Sequence, residues 1–212
     1  MDLYNFFNSS AAYRVRIAMA LKNIDWNPIG VNLRAGEQHH SEYQALNPNR
    51  LVPTMHDGEQ TITQSLAIID YLDRKWPDPR LIPADGPART RVLELALTIA
   101  CDMHPLNNMR VQKYLSTHFG ITDAGKSEWV EHWLSAGFSA LEPWLPEDGG
   151  WCVGDAPTLA DCCLVPQVAN ALRVQFSLDP FPRVRRAYEY CMRHVAFRVA
   201  APNAQPDYVA AH

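Results

Sequence analysis

Phe7-Asn8-Ser9-Ser10-Ala11-Ala12-Tyr13-Arg14-Val15-Arg16-Ile17-Ala18 is the stretch that decides the fold. It follows an apolar run over residues 3–7 that reads as a first strand. It opens a helix over residues 13–22, in which Ile17, Ala18 and Leu21 recur at helical spacing. Two serines therefore fall at a strand-to-helix turn, where unpaired N–H groups and the positive helix end favour an anion. Serine is also an ordinary helix cap. The stretch alone does not choose between cap and site.

Working outward, Pro28-Ile29-Gly30-Val31-Asn32 fits a second strand, and residues 34–42 are polar and loop-like. His39 and His40 in that loop are placed to reach a ligand or to sit in solvent. Tyr43 to Leu46 makes one helical turn before the turn signal Asn47-Pro48. Leu51-Val52-Pro53-Thr54-Met55 and Thr61-Ile62-Thr63 then read as two strands joined by a hairpin at Asp57-Gly58. Pro53 cannot donate to a central ladder, which points to an edge strand or to a cis peptide. Gln64-Ser65 opens a strongly periodic helix carrying Leu66, Ile69, Leu72 and Trp76. The order β-α-β-α-β-β-α makes residues 1–80 a compact α/β domain.

Residues 77–87 hold Pro77, Pro79, Pro83 and Pro87 and read as a semi-rigid linker. Beyond it the periodicity changes, and residues 88–118, 124–145, 158–173 and 183–199 all suit helices. Residues 88–212 thus form an all-α domain, whose tail from Pro202 to His212 carries little helical or strand signal. Thr158-Leu159-Ala160-Asp161 ahead of an apolar run has the form of a capping box. Pro105, directly after His104, predicts a kink within the first of these helices.

Composition narrows the function. Net charge is −4, with eight Lys/Arg against nine Asp/Glu in residues 1–80 and eleven against fourteen in the rest. Neither half is a basic surface for nucleic acid or membrane. Cys101, Cys152, Cys162, Cys163 and Cys191 match no metal knuckle and form no CxxC pair, so reduced, mostly buried thiols of a cytoplasmic protein are expected. Strand-like sequence directly after Met1 argues against a signal peptide, and no apolar run approaches the roughly 18 residues that suggest a membrane span.

Residues able to carry chemistry are scattered. His104 and Asn108, spaced i, i+4, share one face if the helix is continuous, with Arg110 about a third of a turn away. Arg173 closes another helix, where a cation interacting with the last carbonyls is the plain structural role. Gln64-Ser65 at a helix start suits a carboxylate. Val52, ahead of Pro53, offers main-chain groups to an extended peptide-like ligand. The chain has no Walker loop, no GxGxxG, no HExxH and no recognisable metal set. It offers anion and peptide contacts but no evident nucleophile of its own, so a bound cofactor is the natural source of one.

The motifs together resemble a known family. Ser9-Ser10-Ala11-Ala12-Tyr13-Arg14-Val15-Arg16-Ile17-Ala18 is similar to the SSCxWRVRIA signature of zeta-class glutathione S-transferases, the class of the maleylacetoacetate and maleylpyruvate isomerases. The likeness continues through Gln44-Ala45-Leu46-Asn47-Pro48, Leu51-Val52-Pro53-Thr54, the stretch from Gln64 to Leu72, and Asp102-Met103-His104-Pro105-Leu106-Asn107-Asn108. It resumes at Thr158-Leu159-Ala160-Asp161, the stretch from Leu164 to Asn170, and Asp179-Pro180-Phe181-Pro182.

The resemblance implies an α/β thioredoxin-like N-terminal domain, an all-α C-terminal domain and a homodimer. It supplies glutathione as cofactor and source of the nucleophilic thiol. It makes Pro53 a cis proline, with Val52 pairing to the cysteinyl part of glutathione, and gives the γ-glutamyl carboxylate to Gln64 and Ser65. It places Ser9 and Ser10 by the sulfur and His104 and Asn108 near the pocket, and assigns Arg110 and Arg173 to substrate carboxylates. Gln38, His39 or His40 is left for the glycyl end. Two positions depart from the class: its cysteine is Ala11, and an arginine frequent before the serines is Asn8. Losing the cysteine argues against reductive dehalogenation. The activity implied is cis–trans isomerisation of a maleyl diketo acid dicarboxylate from aromatic catabolism. The alternatives are conjugation of hydrophobic electrophiles, peroxidase activity, or a non-catalytic glutathione-fold binding protein.

Overall fold

Leu3 and Met55 face each other across the middle of a four-stranded sheet, and neither is accessible to solvent. The computed structural model describes residues 1–209; residues 210–212, the end of the tail, lie outside the described residues. The sheet is built from β1 (Asp2–Asn5), β2 (Asn27–Gly30), β3 (Thr54–Asp57) and β4 (Gln60–Thr63) in the order β2-β1-β3-β4. β2 runs parallel to β1, while β3 is antiparallel to β1 with Tyr4 opposite Thr54, and β4 is antiparallel to β3.

The helices of this unit are α1 (Ser10–Leu21), α2 (Ser41–Leu46) and α3 (Ser65–Lys75). Ile17, Ala18, Ile68, Ile69 and Leu72 are fully buried where α1 and α3 pack together. The β-α-β-α-β-β-α order is as expected, with shifted limits. Helix α1 starts at Ser10 rather than Tyr13, because Ser9 supplies the cap. The Val52–Pro53 peptide is cis, but β3 is an interior strand, not an edge. Pro53 lies just ahead of the first paired residue, Thr54, so its missing N–H takes nothing from the ladder.

The proline-rich stretch is not a free linker. The buried carboxylate of Asp73 on α3 accepts from the N–H groups of Leu81 (2.7 Å) and Ile82 (3.1 Å) and pairs with buried Lys22 at 2.8 Å. Lys22 Nζ also donates to the carbonyls of Trp76 and Pro79, each at 2.6 Å. Contacts accordingly place the chain up to Ile82 in the first compact unit.

The segment that begins at Met192 belongs to that unit too, so the domain limit of 88–212 read from sequence is not where the packing divides. The physical reason lies on α1. Its Tyr13 hydroxyl donates to the Phe197 carbonyl (2.8 Å) and Arg16 Nε to the Ala200 carbonyl (2.9 Å), both in or beside the short helix α9 (Val195–Val199). The helix expected over 183–199 is therefore two helices. It breaks at His194, whose ring caps α9 by accepting from Ala196 N.

The second unit, Pro83–Cys191, is helical throughout: α4 (Gly86–Leu97), α5 (Met109–Phe119), α6 (Asp123–Leu141), α7 (Leu159–Arg173) and α8 (Pro182–Cys191). Helix α7 is its centre, buried without interruption from Leu159 to Val168. Thr158 and Asp161 form the expected capping box. Asp161 also accepts from Cys152 N at 2.8 Å, and burial raises its pKa against those hydrogen bonds. Cys152, Cys162, Cys163 and Cys191 are buried and Cys101 is exposed.

The single helix expected over 88–118 is instead interrupted. α4 passes into a π-helical turn, Thr98–Met103, residues 104–107 form a tight turn, and α5 starts afresh with Asn108 as its cap. Pro105 ends the helix rather than kinking it. Among the described residues no helix is long and apolar enough to cross a membrane.

Candidate functional site

The sheet register gathers three of the expected contacts at one end. β1 ends in the turn that leads to Ser9, and antiparallel pairing sets the start of β3, with Val52–Pro53, beside that end. The end of β4, with Gln64 and Ser65, lies there as well, since Thr63 is opposite Thr54.

Each of the three is held by specific side chains. At the first turn, Ser9 has extended backbone angles and its Oγ accepts from Ala12 N at 3.2 Å, leaving the hydroxyl hydrogen to donate. Ser10 opens α1, and both serines are partly exposed. The carbonyls of Phe6 and Phe7 just ahead receive Arg16 Nη1 (3.4 Å) and Nη2 (3.0 Å). Burial lowers the Arg16 pKa to about 10, so the side chain remains a cation at neutral pH.

At the second, Tyr43 and Asn47 grip the residues on both sides of Val52–Pro53. The Tyr43 hydroxyl reaches the Leu51 carbonyl (2.6 Å) and Thr54 Oγ1 (2.9 Å), and Asn47 Nδ2 reaches the same two atoms (2.7 and 3.1 Å). Burial raises the Tyr43 pKa, against hydrogen bonds with Thr54 and Asn47 that lower it. Neither main-chain group of Val52 has a hydrogen-bond partner among the described residues. A pair of open main-chain groups on an ordered loop fits a peptide such as glutathione.

At the third, Gln64 takes φ 70°, a left-handed conformation, and no side chain caps α3. The first N–H groups of α3 are thus available to a carboxylate, which fits the γ-glutamyl end of the same peptide. Buried Ser65 has its Oγ in contact with Arg14 Nη1 at 3.3 Å, a bond that joins α1 to the start of α3. In the sequence only its membership of the motif around Ser9 marks Arg14. In the loop, Gln38 and His39 side chains meet at 3.3 Å, and the two histidines are exposed.

In the second unit the structure corrects one expectation. His104 and Asn108 do not share a helix face, because the helix ends between them and they bracket a turn instead. Asn108 Oδ1 accepts from Arg110 N at 3.0 Å, which leaves its amide NH2 without a partner among the described residues. Arg110 is exposed in the first turn of α5 and makes no ion pair among the described residues. Arg173 is exposed at the end of α7, with Nη2 on Asn170 Oδ1 at 2.6 Å. A cavity of about 730 Å³ adjoins both arginine-bearing helices. Its lining includes Gln112 of α5, Val130 and Leu134 of α6, and the segment Val174 to Ser177 that follows Arg173. None of these lining residues was singled out by sequence.

Comparison with known proteins agrees with this fold. Residues 1–74 match the family model for the glutathione S-transferase N-terminal domain and residues 126–194 that for the C-terminal domain. The chain is 46% identical over 208 residues to a probable maleylacetoacetate isomerase of Vibrio cholerae, covering 97% of each. It is 45% identical to a maleyl pyruvate isomerase whose holo structure is described as a bacterial zeta-class glutathione S-transferase. The TM-score is 0.95, with 99% of this chain and 100% of that one covered. A maleylacetoacetate isomerase from Methylobacterium extorquens AM1, solved with bound malonate and glutathione, is 34% identical with a TM-score of 0.92, covering 99% and 100%.

Proposed function

Because this chain belongs to the glutathione S-transferase family, in its zeta class, we propose that it is a glutathione-dependent cis–trans isomerase of a maleyl diketo acid, maleylacetoacetate or maleylpyruvate. The observation that carries the reading is the end-to-end likeness to a maleyl pyruvate isomerase, 45% identical at a TM-score of 0.95.

Bound glutathione supplies a thiol that adds reversibly to a carbonyl-conjugated double bond, which rotates while single and re-forms trans. The chain's own residues bind, orient and polarise. Val52 offers its open N–H and C=O to the cysteinyl residue, beside cis Pro53. Gln64, Ser65 and the uncapped start of α3 take the γ-glutamyl carboxylate. Ser9, with Ser10 next to it, donates toward the sulfur from a helix N-terminus, and such a donor favours thiolate over thiol. His104 and Asn108 take the pocket positions that the resemblance gives them. Arg110 and Arg173 hold substrate carboxylates, as planar bidentate forks suited to that group. Their charge also stabilises the negative charge that develops on the conjugated carbonyl, an effect worth about 2.7–4 kcal/mol per donor removed in well-organised sites. In the same reading the protein is a homodimer of the cytoplasm.

The test is to follow glutathione-dependent isomerisation of maleylpyruvate and maleylacetoacetate beside conjugation of chlorodinitrobenzene. Turnover of either maleyl acid is expected. Conjugation with no isomerisation would make the protein a transferase, and no glutathione binding by calorimetry would make it a binding protein. Sedimentation at the mass of one chain would sink the dimer.

A further inference from the structure

Arg34, on the loop after β2, lays its guanidinium over two rings, 5.3 Å from the centroid of Phe7 and 5.8 Å from that of Phe6. The two rings lie 4.7 Å apart, tilted by 58°, in a buried cluster with Val31, Tyr43 and Val52. The platform is fixed from below as well. Both carbonyls are held by Arg16, and the Phe7 N–H donates to Asp207 at 2.8 Å. A guanidinium held within cation–π range of two rings keeps N–H donors for an anion, and its position is partly ordered before binding.

The charges around it leave that edge open. Arg34 is exposed and makes no ion pair among the described residues. Two carboxylates come near this stretch, and both accept main-chain N–H groups: Asp207 from Phe7, and Glu37 from Asn32 at 2.6 Å. The cations of α1 are turned inward, Arg14 onto Ser65 and Arg16 onto carbonyls. Residues 8–10 contain no cation, and Asn8 follows Phe7 directly. Among the described residues, Arg34 is therefore an exposed cation that adjoins the ring of Phe7, in the turn that leads to the serines.

We infer that Arg34 is a specificity-determining residue that holds a carboxylate of the substrate above the Phe6–Phe7 platform, supplying from the β2–α2 loop the positive charge that Asn8 does not. The inference rests on the isomerase reading above.

The experiment compares the full-length protein with Arg34→Ala and with the double variant Asn8→Arg/Arg34→Ala. The readouts are kinetics on maleylpyruvate, kinetics on uncharged chlorodinitrobenzene, and calorimetry with glutathione. Arg34→Ala should raise KM for maleylpyruvate about tenfold to a hundredfold, the loss expected of one charge-assisted contact. The value of kcat, the KM for chlorodinitrobenzene and the affinity for glutathione should stay within about twofold, a split that a general loss of structure does not produce. Asn8→Arg in the same chain should recover most of the KM. If the unsubstituted protein isomerises maleylpyruvate and Arg34→Ala matches it, this inference alone falls. It also falls if glutathione affinity is what drops, since the guanidinium then serves the tripeptide. An unsubstituted protein that isomerises neither maleyl acid overturns the isomerase reading and this inference together.

Discussion

The guanidinium of Arg16 donates from Nε to the carbonyl of Ala200, 2.9 Å away and 184 residues on in the chain. Its other nitrogens reach Asn5 Oδ1 (3.1 Å) and the carbonyls of Phe6 and Phe7. One fully buried cation thus ties the end of β1, the approach to Ser9 and the C-terminal segment into one piece. Replacing it by Met fills similar volume but leaves several acceptors buried and unpaired. Arg16→Met should cost about 3 kcal/mol or more by chemical denaturation, and should weaken glutathione binding through the loosened turn. Lysine has no fork to reach four acceptors, so Arg16→Lys should recover only a minor part.

Asp73 gives a second test of how far the first unit extends. Removing its carboxylate leaves the buried Lys22 ammonium without a counter-charge, on the carbonyls of Trp76 and Pro79, and strands the N–H groups of Leu81 and Ile82. Asp73→Ala should lose about 3–5 kcal/mol, the range for breaking one side of a buried pair. Limited proteolysis should then cut within residues 77–82 much faster than in the unsubstituted chain. Equal cutting rates would mean that the stretch is already free.

Asp57 should make a measurable contribution to acid sensitivity. Hydrogen bonds from Lys75 and Tyr71 hold its carboxyl pKa below the usual aspartate value. A carboxylate with a depressed folded pKa adds stability above its unfolded pKa, and loses it as pH falls through the folded value. The stability difference between the protein and Asp57→Asn should be flat from about pH 5 to 8 and shrink below about pH 4. Denaturation curves across that range check the sign. A difference that grows on acidification would contradict it.

The α/β unit was legible in the sequence because its signals are local: period-two and period-3.6 patterns, the Asp57-Gly58 turn, and serines at a helix start. Pairing distant parts of the chain was not. Nothing in the pattern of residues 192–209 says that they supply carbonyls to Tyr13 and Arg16, since a main-chain acceptor has no sequence signature. The same holds at His104 and Asn108, where helical periodicity on both sides of Pro105 reads as one helix although the chain turns between them. Candidate site residues at helix starts were visible: Ser9 because it caps α1, and Ser65 because it opens a strongly periodic helix. Arg14, Arg34 and the cavity beside Gln112 were not, because each depends on what the fold brings next to it.

Gly137 measures how closely α6 approaches the π-helical turn. A Cβ built there would lie 2.4 Å from Met103 Cγ and Cε, and Met103 is itself buried. Because Cγ sits near the main chain, the methionine cannot simply swing its tip away. Gly137→Ala should therefore destabilise by about 1–3 kcal/mol despite the better helix propensity of alanine. Adding Met103→Ala should return part of that loss, whereas additive losses would show that the clash is not the cause.

Ser9 and Ser10 are adjacent yet should separate cleanly. Ser9 caps α1 through Ala12 N, so Ser9→Ala should lose about 1 kcal/mol of stability, and Ser10→Ala, inside the first turn, much less. The Ser9 hydroxyl keeps its hydrogen to donate, so the same substitution should raise the pKa of enzyme-bound glutathione by about one unit or more, read from thiolate absorbance in the ultraviolet. Turnover at neutral pH should fall with the thiolate fraction and recover in part as pH is raised, a profile that loss of a helix cap alone does not produce. A shift that appears in Ser10→Ala instead would divide the two roles, leaving Ser9 as the cap and Ser10 as the thiol's donor. No shift in either would leave the helix N-terminus as the sole source of activation.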